Sequence, residues 1–257
     1  MSVKAVSSVI LFACLSCTGS SQYNVSETNM PSQKEAVIYT EVHSIPLPAG
    51  FTRIKAEKNS FTTWLRNISL KKDNTVYLYN GRVKPNQSAQ FAVLDISVGN
   101  KDLQQCADAV MRLRAEYLFS CREYSAIRFT DNEGGQYNFA APYTRQHLDA
   151  FLQRVFGMCG SASLSKQLKT QPIMKMQPGD VLIKGGFPGH AVIVMDMAEN
   201  NEGEKIYLLA QSYMPAQDIH ILINESSQSL SPWYKLSQEK DIHTPEYYFT
   251  SAQLKTW

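Results

Sequence analysis

The chain has 257 residues, with 25 Lys+Arg against 23 Asp+Glu, 44% hydrophobic residues and 19% charged. At roughly 100–200 residues per domain this is one large domain or two modest ones, and the apolar share excludes wholesale disorder. A formal charge of +2 lacks the clustered basic excess that a phosphate backbone demands, so nucleic acid is excluded as a main partner.

Lys4 followed by the apolar run Ala5–Leu15 reads as a secretory signal, because the run is well short of the about 20 residues a membrane-crossing helix needs. It ends Cys14-Leu15-Ser16-Cys17-Thr18-Gly19-Ser20, which resembles a bacterial lipobox with small Ser16 before Cys17. The resemblance implies that residues 1–17 are a signal peptide and lipobox. Cys17 would then carry the lipid, become the mature N-terminus and hold the exported chain to a membrane of the bacterial cell envelope. Cleavage without lipidation, which leaves a soluble secreted protein, and acylation at Cys14 are the alternatives. Residues 18–44 are predicted as a flexible tether, and 45–257 as one folded domain without internal repeats.

Within that domain, Ile45–Phe51 is an extended, proline-punctuated lead. Ser60–Leu65 is predicted as a short helix capped by Ser60. Thr75–Tyr79 is predicted as a strand turning at Asn80-Gly81, a pair that accepts positive φ, and Phe91–Val98 as a buried strand. A strong helix follows, with Asp102 as its cap and Leu103, Cys106, Val110, Leu113 and Tyr117 on one apolar stripe. Thr144 to Phe156 is a second helix stopped at Gly157, and Ser163–Lys169 a third. Four β-rich runs come last: 180–184, 190–198, 205–212 and 218–224. Helices followed by an antiparallel sheet is an α+β pattern.

No zinc or nucleotide motif is present, so no metal and no cofactor is expected. Cys106 at a helix start meets unpaired N–H groups and a partial positive charge, both of which favour a thiolate nucleophile. On the apolar stripe the alternative is a buried, inert cysteine, which is common at such positions. His190, at a strand mouth beside Gly189, is the candidate base and is expected to be reachable by substrate. If 190–198 and 205–212 form a hairpin, His190 lies opposite Gln211 to Tyr213, and the Gln211 amide would orient the ring; Tyr213 is the reserve. The rival reading makes Gln211 an edge residue facing water. With Cys106 kept free, Cys121 and Cys159 are the one intrachain disulfide available; both reduced and buried is the alternative.

Gln105-Cys106, Pro178-Gly179-Asp180, Gly189-His190 and Gln211 resemble the NlpC-type and CHAP-type cell-wall hydrolases. That resemblance implies a papain-like fold, a nucleophile-bearing helix packed on an antiparallel sheet. It implies Cys106 as nucleophile, His190 as general base, Gln211 as orienter and Gln105 as oxyanion binder. Leu103–Leu118, Pro178–Ala198 and Leu208–Ile221 also resemble a family of bacterial lipoproteins with a domain of unknown function. The expectation is a membrane-anchored cysteine hydrolase, a peptidase or amidase, acting on a peptide or peptidoglycan-like substrate. The alternatives are a non-catalytic binding lipoprotein on the same fold, or an envelope-structural module that recruits a partner through exposed aromatics around Trp233-Tyr234.

Overall fold

The computed structural model describes residues 39–238 and 241–257, so Cys17, the predicted signal segment and the tether through residue 38 lie outside the described residues. From the N-terminal side, β1 (Phe51–Arg53), α1 (Phe61–Arg66) and β2 (Gln90–Val93) precede α2 (Cys106–Ser120). A small hairpin, β3 (Arg128–Thr130) with β4 (Gln136–Asn138), leads to α3 (Arg145–Met158) and α4 (Ser161–Gln167). The C-terminal part is β5 (Lys169–Thr170), β6 (Val181–Lys184), β7 (His190–Asn200), β8 (Lys205–Gln211), β9 (His220–Leu222) and β10 (Tyr234–Lys235). It closes with the hairpin β11 (Asp241–Thr244) and β12 (Tyr247–Thr250), then β13 (Leu254–Thr256).

The main sheet runs β2-β9-β8-β7-β6-β13-β5, with β1 added along the far half of β7 and β10 along β8. All its pairings are antiparallel. The α+β expectation therefore holds. β7 carries the apolar run Ala191–Met195 because both its faces are covered there. Ala191, Ile193 and Met195 pack with the helices, whereas Val192, Val194 and Met197 pack against Phe249 of the β11–β12 hairpin and Leu254 of β13.

Sequence expectation and structure part at several boundaries. α2 begins at Cys106, not after Asp102, whose carboxylate instead accepts from Ala216 N at 2.7 Å and Gln105 Nε2 at 3.1 Å. α3 runs through Gly157 to Met158. Thr75–Tyr79 forms only the bridges Tyr77↔Val83 and Leu78↔Gln217, although the Asn80-Gly81 turn is made, with Gly81 at φ +78. The tether ends earlier than residue 44: Val42 is buried and its N–H donates to Ile68 O at 3.1 Å. Trp233 and Tyr234 are buried, not exposed, with the Trp233 indole donating to Pro46 O at 2.7 Å, so this pair cannot recruit a partner. Cys106, Cys121 and Cys159 are all free thiols. Cys121 caps the far end of α2, about 22 Å from Cys106 at 1.5 Å per residue, whereas Cys159 shares a cleft with Cys106. The Cys121–Cys159 disulfide is not made.

The N-terminal segment is tied into the domain by charge. Asp196, fully buried on β7, accepts from Arg53 Nε at 2.7 Å and Arg66 Nε at 2.6 Å. Those two arginines come from β1 and the last residue of α1, so one carboxylate fastens both to the sheet. Among the described residues no helix is long and apolar enough to cross a membrane.

Candidate active site

Two element starts meet at the candidate site. α2 opens with Gln105 as N-cap in extended backbone and Cys106 as its first helical residue. Asp108 closes the cap from the other side, its Oδ2 accepting from Gln105 N at 3.0 Å. The helix then buries Ala107, Ala109, Val110 and Met111 against the sheet, and the small alanines let it come close to β7. Cys106 consequently rests against the first residues of β7. Burial pushes its thiol up to about 11, Asp108 adds to the rise, and the Ala191 backbone N–H opposes it. The expected thiolate is thus not the resting form, because desolvation outweighs the helix N-terminus.

His190 opens β7. Gly189 before it is dictated by packing: a Cβ there would lie 2.2 Å from Ser161 Oγ at the start of α4. The ring packs among aromatic side chains, with ring centroids at 4.7 Å from Tyr213, 4.8 Å from Tyr247 and 5.8 Å from Phe249. Only 2% of the residue is exposed, so the expected open strand mouth is covered by these rings. Burial lowers its pKa to about 4, against the Gln211 hydrogen bond and the Glu246 charge, which raise it. No hydrogen bond joins the Cys106 thiol to His190 among the described residues. Tyr213 and Tyr247 touch the His190 ring, and their hydroxyls are raised first by burial, then by Glu246 and Cys106 at Tyr213 and by Cys106 at Tyr247.

Gln211 is brought to His190 as the hairpin geometry implied. Its Oε1 lies 2.8 Å from His190 Nε2. β7 and β8 pair as Ile193↔Ala210 and Val194↔Leu209 near the site, and a bulge at Met195 shifts the register by one beyond it. Extending the near register puts Tyr213 opposite His190 and Gln211 on the diagonal, still within reach of a long side chain. The amide also donates to Glu246 Oε2 at 2.7 Å and lies 3.4 Å from His220 Nε2. Glu246 in turn accepts from Lys84 Nζ at 2.6 Å and Asn86 Nδ2 at 3.0 Å. His220 is fully buried, held by Asp218 O at 2.9 Å, and burial lowers its pKa to about 4. Sequence reasoning missed Glu246, Lys84, Asn86 and His220; the single signal was the oddity of polar residues in the apolar strand neighbourhoods of Gln211 and His220.

On the helix side of the sheet, Cys106 opens onto a cleft of about 470 Å³. Gln105, Asp108, Cys159 and Ser161 help line it, and Met158, Phe187 and Met214 form an exposed apolar rim. Gln105 is therefore placed beside Cys106, with one amide N–H engaged by Asp102. Asp108 Oδ1 is buried without a partner, and desolvation raises its carboxyl well above the usual range. Among the described residues no group of three His, Cys, Asp or Glu is placed to hold a metal ion.

The chain belongs to the family described as domain of unknown function (4846), which matches residues 42–144 and 137–256. No curated protein and no solved structure matches the chain.

Proposed function

We propose that this family member is a papain-like cysteine hydrolase, anchored through Cys17 at a bacterial cell envelope, that cleaves amide bonds in peptides, with cell-wall peptides as its substrate class. One observation carries the reading: the first residue of α2, Cys106, packs at the first residues of β7, where His190 Nε2 is bound to Gln211 Oε1 at 2.8 Å. A thiol, an imidazole and a side-chain amide that orients the imidazole are the three groups acyl transfer needs.

The chemistry follows from those groups. Cys106 Sγ attacks the carbonyl carbon while its proton passes to Nδ1 of His190, and the carbonyl electron pair moves onto oxygen. The unpaired N–H groups of the first turn of α2, with the Gln105 amide, meet that oxyanion. Collapse breaks the C–N bond, and the leaving amine takes the proton from His190. Water, deprotonated by the same imidazole, then attacks the thioester; the C–S bond breaks, the acid leaves, and the imidazolium returns its proton to Cys106. Because thiol and imidazole both rest neutral, proton transfer accompanies attack instead of preceding it. The apolar rim of Met158, Phe187 and Met214 suits a substrate with an apolar side chain beside the scissile bond.

The experiment is digestion of purified peptidoglycan and of synthetic peptide amides by the full chain, read as new amino groups by mass spectrometry. New amines from the native protein, absent with folded Cys106→Ala, are the expected result. No new amines, or the same amines from the variant, sinks the hydrolase. A second reading is favoured by the cover over His190: a binding lipoprotein on the same fold without turnover. It requires that the native protein retain a cell-wall fragment unchanged.

A further inference from the structure

Every hydrogen-bonding atom around Gln211 has one role, and we infer from this that Glu246 is a positioning residue that sets the tautomer of His190. For its catalytic consequence the inference rests on the hydrolase reading; its geometry does not.

A side-chain amide can sit either way round, and its neighbours decide which. Glu246 Oε2, 2.7 Å from the Gln211 amide, belongs to a carboxylate that accepts from Lys84 and Asn86. A carboxylate only accepts, so the atom facing it is the amide nitrogen. Oε1 is then turned to His190 Nε2 at 2.8 Å. A carbonyl oxygen also only accepts, so Nε2 of His190 carries the hydrogen. A neutral imidazole has one N–H, and its lone pair falls on Nδ1, the nitrogen left to take a proton from Cys106.

His220 closes the account. Its Nδ1 gives its hydrogen to Asp218 O at 2.9 Å, which leaves Nε2 to accept from the second amide N–H of Gln211 at 3.4 Å. An inverted amide would set oxygen against the Glu246 carboxylate and N–H against His190. His190 would then need its hydrogen on Nδ1 and could accept nothing from the thiol. The carboxylate of Glu246, held by Lys84, is the element that forbids the inversion. It stands in the turn between β11 and β12, one residue before Tyr247, so the hairpin that covers His190 also orients it.

The test is the ¹⁵N spectrum of histidine-labelled full chain at neutral pH, where His190 is uncharged and its tautomer is read directly. The native protein should show His190 as the Nε2–H tautomer. Glu246→Gln is the conservative control: Lys84 Nζ and the Gln211 amide both donate to one atom, Glu246 Oε2, so a glutamine carbonyl in that place serves both and His190 should stay Nε2–H. Lys84→Met with Glu246→Leu removes both charges together, leaves no buried unpaired ion, and should show both tautomers. In the double variant, kcat for amide hydrolysis should fall in proportion to the Nδ1–H fraction, with KM little changed, because that tautomer cannot take the thiol proton. A folded double variant in which His190 stays wholly Nε2–H, or a folded Glu246→Gln protein in which it does not, overturns the inference, even if stability falls. A tautomer change in a protein with no native hydrolysis keeps the inference and removes the hydrolase reading instead.

Discussion

The two halves of β7 both bury polar side chains and stabilise them in opposite ways. In the far half Asp196 is matched directly by two guanidiniums, a pairing that leaves nothing to move. In the near half His190 is neutral, its partner Gln211 is neutral, and the charges of Glu246 and Lys84 stand one residue removed. Charge paired to charge makes a fastening. A neutral imidazole held by a neutral amide keeps a lone pair free, and it is this half that has the makings of a reaction centre.

The largest expected effect breaks the fastening alone. Asp196→Ala leaves the Arg53 and Arg66 guanidiniums with the Ile45, Ile54 and Met197 backbone carbonyls and, for Arg53, the Trp233 ring at 5.7 Å. Uncompensated buried charge of that kind costs about 3–5 kcal/mol. Urea denaturation measures it, and a loss below about 1 kcal/mol would show that the clamp is solvated in solution. The ¹⁵N spectrum of His190 should not change, since the bulge at Met195 separates the two halves.

The contrast also bears on what a sequence reveals. The four C-terminal strands and the meeting of His190 with Gln211 were legible, because two long apolar runs joined across Asn200–Gly203 leave few registers open. The turn is tied locally, Asn200 Oδ1 accepting from Glu202 N at 3.0 Å and Glu204 N at 2.9 Å. Cys106 at a helix start was legible from the apolar stripe. Glu246 was not: it lies 35 residues from Gln211, and Lys84 lies 162 residues from Glu246, on segments with no periodic pattern. Nor was the burial of His190, since the covering rings of Tyr247 and Phe249 come from a separate hairpin. The thiolate expectation erred for the same reason: the helix N-terminus is visible in a sequence, and the desolvation that outweighs it is tertiary.

A smaller effect sharpens the comparison by pH. His190 and His220 titrate near 4 in the fold because of burial, against about 6.5 in an unfolded chain. The unfolded state therefore binds protons first, and the stability that each neutral ring contributes is complete above about pH 6.5 and lost as the pH falls to 4. Each loss is on the order of 3 kcal/mol. Asp108 and Asp180, both raised by burial, run the other way: their contribution is present below the unfolded carboxylate range and lost as pH rises. A difference measurement removes them. Between pH 6.5 and 4 the native chain should lose on the order of 3 kcal/mol more than His220→Asn, whose amide keeps the donor to Asp218 O. Parallel curves for the two proteins would mean that His220 is hydrated in solution.

The smallest expected effect on folding lies at the rim of the Cys106 cleft. Phe187 is 91% exposed on the loop between β6 and β7, which leaves almost no apolar burial to lose on substitution. Phe187→Ser should change the unfolding free energy by no more than about 0.5 kcal/mol, the usual range for a surface site. A large apolar ring that contributes nothing to the fold, beside Met158 and Met214 and over a buried thiol, is explained by what it meets from outside. If it covers an apolar side chain of the substrate, Phe187→Ser should lower kcat/KM for peptide amides with that side chain by about tenfold and leave glycine analogues unchanged. A drop of more than about 1 kcal/mol in stability would show the ring packed against the domain in solution. Equal kcat/KM losses for both substrate classes would mean that the loop acts on His190 through Gly189, and the rim would then belong to the near half of β7 instead of to the substrate.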